Sequence, residues 1–255
     1  MADSLRRQAR RLTWLCLAVL AGGCAQFPRN VPMHAIDMDS GYRVSQTAGD
    51  EDDSTELVIV LTFSGGGTRA AALAYGVLEV LAESVVEFDG QSRRLVDEID
   101  IVSAVSGGSV TAAYFGLHGT EIFDDFETRF LRKNVQGALT RRFLAPWNWP
   151  RLLSPYFGRG DIAAEYFDKH LFDGATFADM GRDNGPAILI NATDISNGTR
   201  MSFSQESFDL FCSDLTDYPV ARAVAASSAV PVLLAPISLV NYPSEQCGYQ
   251  PPKWV

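Results

Sequence analysis

Histidine is scarce in this 255-residue chain, and His34, His118 and His170 are the only three. A reaction that needs an imidazole base must draw on one of them, and none stands in a promising context. His34 lies in an irregular N-terminal stretch, His118 follows Ser106 by twelve residues, and His170 sits in the polar segment EYFDKHLF. No His/Cys/Asp cluster has metal-ligand spacing, so the chemistry read here requires neither a metal nor a cofactor. No internal repeat or low-complexity segment is present. No Gly-Lys-Ser/Thr follows either glycine-rich turn, which removes a P-loop from consideration. Basic residues are also in deficit, 21 against 31 acidic. That balance argues against a nucleic-acid partner and against electrostatic attraction to anionic lipid heads.

Long hydrophobic runs are missing too. The apolar stretch at 12–23 follows Arg6, Arg7, Arg10 and Arg11, and is too short to span a bilayer comfortably. Its length and basic flank suit a signal peptide. It ends in AGGC (21–24), which resembles the lipobox of bacterial lipoproteins, with Ala21 where Leu is usual. The resemblance implies cleavage before Cys24, lipidation of that cysteine, and attachment to the outer membrane facing the periplasm. Removal of residues 1–23 would leave 17 basic and 30 acidic residues, a net charge of −13, so membrane proximity would depend on the lipid anchor. In that oxidising compartment Cys212 and Cys247 could pair, but a separation of 35 residues leaves their geometry open.

What the chain does contain is organised as a tether followed by one domain. Residues 24–56 hold Pro28, Pro32 and the acidic run 50–53 with little periodicity, and read as a tether. The domain is expected over 57–255. LVIVLTF (57–63) suits a strand buried on both faces of a parallel sheet, and RAAALAYGVLEVLAES (69–84) a helix. IDIVSAV (99–105) and VTAAYFGLHG (110–119) repeat the pattern, which predicts an α/β fold with helices around a mostly parallel sheet. PAILINATD (186–194) is a further strand, with Asn197-Gly198 placed for a type I′ hairpin turn. VLLAPISLV (232–240) should add one or two more. In FDDFETRFLRKN (123–134) the acidic side reads as a solvated face. RRFLAPWNWPRLLSPYF (141–157) reads as a plug in the core or as an aromatic wall beside an apolar groove.

Two glycine-rich turns carry the chemistry. SGGGTR (64–69) lies between a strand and a helix, where close-approaching amides and the helix N-terminus favour a negative oxygen. Gly65, Gly67 and Ala70 fit a dinucleotide fingerprint, a weak signal by itself. An acyl-transfer oxyanion is the other guest. The second turn, Ala104-Val105-Ser106-Gly107-Gly108, matches a nucleophile elbow with Ala in place of the first Gly. A dinucleotide site would leave this second turn unexplained.

SGGGTRAAAL, SAVSGGS and AASSAVPVLLAPI (225–237), in this order, resemble the motifs of the patatin-like phospholipase family. The similarity runs from Leu57 to the end of the chain. It implies a three-layer α/β/α fold with a mostly parallel central sheet and a serine lipid acyl hydrolase that uses a Ser–Asp dyad. Its substrate would be a membrane lipid or phospholipid. Carried over, Ser106 is the nucleophile, Gly65, Gly66 and Gly67 supply oxyanion amides, and Arg69 helps fix that loop. The family's Asp lies in a D-G-[GA] motif after the small-residue Pro segment. Here the one such tripeptide starts at Asp173, about 50 residues too early, and reads as a turn; Asp194 reads as a hairpin cap. The dyad Asp is therefore expected beyond Val255, in a missing C-terminal part of the domain. An α/β-hydrolase esterase with a Ser-His-Asp triad, and a non-catalytic lipoprotein keeping the fold, are the alternatives.

Overall fold

The β-branched runs of the sequence form neighbouring strands of one sheet. The computed structural model describes residues 29–44, 57–88, 90–180, 185–230 and 234–249; the expected signal segment and Cys24 lie outside the described residues. Along the chain come β1 (Val31–Pro32), β2 (Ile59–Phe63), α1 (Thr68–Glu83), β3 (Val85–Phe88), β4 (Gln91–Arg94) and β5 (Ile99–Val105). Then follow α2 (Gly107–His118), α3 (Ile122–Phe126), α4 (Val135–Leu144), α5 (Trp149–Leu152) and α6 (Arg159–Phe167). The last part holds β6 (Ala187–Asp194), β7 (Thr199–Phe203), α7 (Gln205–Asp209), β8 (Ser213–Asp214), α8 (Val220–Ser227) and α9 (Ser244–Cys247).

The main sheet has the order β2-β5-β6-β7. β2, β5 and β6 are parallel, and β7 returns antiparallel on β6. Helices flank it in three layers. α2 packs on β5 and β6 and is enclosed in turn by α1, while α8 packs on β6. A helix hydrophobic on every side belongs in such a central position, and α2 is buried from Gly107 to Gly116.

Several expectations need correcting. β2 is the edge of the described sheet, so Val58 and Val60 are exposed instead of buried on both faces. The β6–β7 connection spans the four residues 195–198. Gly198 has φ 72° but Asn197 is not in the left-handed region, so this is no type I′ turn. Residues 234–240 form no strand. The most informative change concerns the tether. Residues 29–44 pack into the domain: β1 pairs with β8, and Asn30 is buried against Ser213 and the Val240 carbonyl. The Tyr42 hydroxyl bridges the N–H and C=O of Ile188, and the guanidinium of Arg43 is buried against Asp209 at 3.0 Å. Weak periodicity concealed these contacts because they are made by single polar and aromatic side chains.

Cys212 and Cys247 are joined in a disulfide, with Cα atoms 5.5 Å apart, tying α9 to the segment that enters β8. The 141–157 segment is neither plug nor wall. Ala145, Asn148, Ser154 and Phe157 are buried, but Trp147 and Trp149 are 76% and 56% exposed.

Candidate active site

Ser106 closes β5 and opens α2, and its backbone has φ 51° and ψ −122°. A non-glycine residue there is strained, and this strand-to-helix serine geometry is what the elbow pattern anticipates. The strain persists because the surroundings hold both sides of the turn. Ser106 N–H donates to Ser227 Oγ at 2.8 Å, and Ser227 Oγ–H donates to the Asn191 carbonyl at 2.6 Å. On the helix side, Ser109 N–H and Oγ–H both donate to the Ser106 carbonyl.

The glycine loop lies directly against this turn. A Cβ on Gly107 would sit 2.0 Å from the Gly67 carbonyl oxygen, and one on Gly108 would sit 2.7 Å from Phe63 Cβ. Only glycine lets the two backbones approach so closely. The Cβ position of Gly65 is 3.3 Å from Ser106 Cβ, so the first of the three loop glycines borders the serine side chain. Gly66 and Gly67 have φ 145° and 64°, and Gly67 caps α1. Arg69 is exposed on the first turn of α1 and makes no ion pair among the described residues. Packing of Gly67 on Gly107 holds the loop instead.

Beside the elbow, at the C-terminal ends of β2, β5 and β6, opens a cleft of about 500 Å³. Such strand ends are where open α/β sheets bind ligands. Hydroxyls of Thr62, Ser64, Ser103, Thr193 and Ser227 line it, together with Arg200. Behind it Asn191 is buried and fully engaged. Its Nδ2 donates to Ser103 Oγ and to the Ala104 and Leu189 carbonyls, and its Oδ1 accepts from Ser202. Asn191 and Ser227 were missed as site residues in the sequence. The only signal was a polar residue inside the apolar strand ILINATD and a serine in the small-residue segment.

The candidate bases fall elsewhere. Among the described residues, no carboxylate or imidazole hydrogen-bonds the Ser106 hydroxyl. Asp173 has φ 50°, is exposed, and pairs with Arg129 at 2.6 Å, as a turn residue would. Asp194 accepts from the Ser196 N–H in the hairpin loop. His118 ends α2, about 18 Å along the helix axis from Ser106. Its ring lies tilted against Tyr114, centroids 4.3 Å apart, and burial holds its pKa below the usual histidine value. His170 stacks on Tyr166, with its Nδ1 2.8 Å from that residue's carbonyl.

A strained serine at a strand–helix junction, facing a glycine loop on a parallel sheet, can be compared with known families. The family model described as patatin-like phospholipase matches residues 61–249. The chain belongs to the patatin-like phospholipase family. The match spans both glycine turns, the cleft and the small-residue segment of α8. Membership makes lipid ester hydrolysis the general activity of this patatin-like protein and a lipid its general substrate. A search among curated proteins finds no match.

Proposed function

We propose that Ser106 is the nucleophile of a lipid acyl hydrolase working through an acyl-enzyme, with a Ser–Asp dyad whose Asp lies outside the described residues. The observation that carries this reading is the strained Ser106 backbone with the glycine loop packed against it. In the first half-reaction an aspartate takes the hydroxyl proton as Oγ attacks the ester carbonyl carbon. The carbonyl π electrons move to oxygen, and the amides at Gly65, Gly66 and Gly67 stabilise that oxyanion. Each well-placed donor contributes about 3 kcal/mol. Collapse of the intermediate expels the lipid alcohol, which takes the proton from the aspartic acid. Water then repeats the sequence on the acyl-enzyme and releases the fatty acid. Neither His118 nor His170 is placed for a triad, which speaks against the α/β-hydrolase alternative.

The test is fluorophosphonate labelling of the full-length protein and of Ser106→Ala, with release of fatty acid from phospholipid measured alongside. Labelling should vanish in Ser106→Ala and turnover should fall by about 10⁴-fold. Equal labelling of both forms would overturn the assignment; no labelling of either would favour a non-catalytic member of the family. We also propose acylation of Cys24 and a location at the outer membrane facing the periplasm, supported by the lipobox-like AGGC. Mass spectrometry of the N-terminal peptide checks this, and an unmodified Cys24 would refute it.

A further inference from the structure

The protein exposes two apolar faces in stretches of sequence with opposite charge. On α1, Leu73, Val77 and Val80 are exposed, and the acidic Glu79 and Glu83 stand among them. On the 141–157 excursion, Leu144, Trp147, Trp149, Leu153 and Tyr156 are all more than half exposed. Along this stretch of the chain the charge is reversed. Residues 128–160 hold seven basic and no acidic residues, in a chain whose net charge is −10. Arg129, Arg132 and Arg151 pair with acids from other segments. Lys133 and Arg141 are exposed and form no ion pair among the described residues.

We infer that the 141–157 excursion is a docking surface for an anionic phospholipid bilayer. Tryptophan and tyrosine combine an apolar ring with a polar edge, which suits the headgroup boundary. Arg141, one helical turn from the exposed Leu144 on α4, and Lys133, just before that helix, add attraction to anionic lipid. Local charge thus reverses what the net charge implies. The exposure is built into the fold. Asn148 is buried and donates to the Arg142 carbonyl at 2.8 Å, and the Arg151 guanidinium covers the buried Phe157 ring at 4.0 Å. Pro146, Pro150 and Pro155 further restrict the backbone. The root of the excursion is also tied to the site. Gly158 N–H donates to Asp161 Oδ2, and the other carboxylate oxygen of Asp161 pairs with Arg222 of α8. That helix ends at Ser227, which holds the Ser106 elbow. The inference deepens the lipid hydrolase reading and rests on it for its purpose, but it can be tested separately.

In the full-length protein every tryptophan other than Trp147 and Trp149, Trp14 and Trp254 included, is replaced by Phe and Cys24 by Ser, so that only these two report and no acyl anchor contributes. The protein is mixed with phosphatidylglycerol/phosphatidylethanolamine vesicles whose acyl chains carry bromine. Blue-shifted, quenched emission is expected, and Lys133→Gln/Arg141→Gln should weaken partitioning about tenfold at low salt. Raised salt should weaken the parent in the same direction. Unquenched emission from vesicle-bound protein would overturn the proposal, as would equal partitioning onto pure phosphatidylcholine. A blue shift that grows with protein concentration without vesicles would assign the face to a second copy of the chain and also overturn it. Hydrolysis of a water-soluble short-chain ester by the same protein reads the Ser106 site alone. Loss of that activity with quenching intact would count against the nucleophile, and the reverse against the docking surface.

Discussion

Around Ser106 backbone presses on backbone, and every nearby hydroxyl or amide in the supporting network has a partner. At residues 141–157 the arrangement is inverted, with polar Asn148 and Ser154 buried and tryptophans facing out. The first region holds one strained conformation by close packing and directed hydrogen bonds, as a preorganised site requires. The second holds a shape that leaves apolar area uncovered, a feature that marks an interaction surface. Both are tied to α8, one through Ser227 and the other through the Asp161–Arg222 pair.

Substitutions can break or sharpen this contrast. Arg222→Met should have the largest effect on stability, because it leaves the buried carboxylate of Asp161 without its cation. A loss of about 3–5 kcal/mol is expected in urea unfolding, with both serine labelling and vesicle binding reduced. Gly107→Ala should act on the elbow alone. Its methyl group would be driven into the Gly67 carbonyl, costing up to about 3 kcal/mol and most of the labelling, while tryptophan quenching by vesicles persists. Ser227→Ala removes the acceptor of the Ser106 amide and should cost about 1–3 kcal/mol, with slower labelling by the probe. Trp147→Ala/Trp149→Ala should lie within about 0.5 kcal/mol of the parent. A thermal melt that drops sharply in this last variant would show the excursion to be packing, and would erase the distinction between the two regions.

The site was legible in the sequence where its parts are local. A buried strand, a glycine turn and a helix start are contiguous, so SGGGTR and AVSGG announce their own backbone geometry. Arg69 illustrates the limit of carrying a motif over: its position is right, but it stands in solvent while a glycine contact holds the loop. Asn191 and Ser227 support Ser106 from 85 and 121 residues away along the chain, and no spacing rule connects them. The docking of residues 29–44 escaped notice for a similar reason, since Tyr42 and Arg43 find their partners only after β6 and α7 are in place.

The sequence alone determined the alternation of strand, glycine turn and helix, the α/β class that follows from it, and the strand-to-helix turn at Ser106. Those properties depend on residues within a few positions of one another. Tertiary structure decided the rest. It brought Gly67 onto Gly107, closed the Cys212–Cys247 bridge, and turned Trp147 and Trp149 outward. Each of these outcomes depends on which distant segments share space, and hydrophobic periodicity, being blind to distance, cannot encode that.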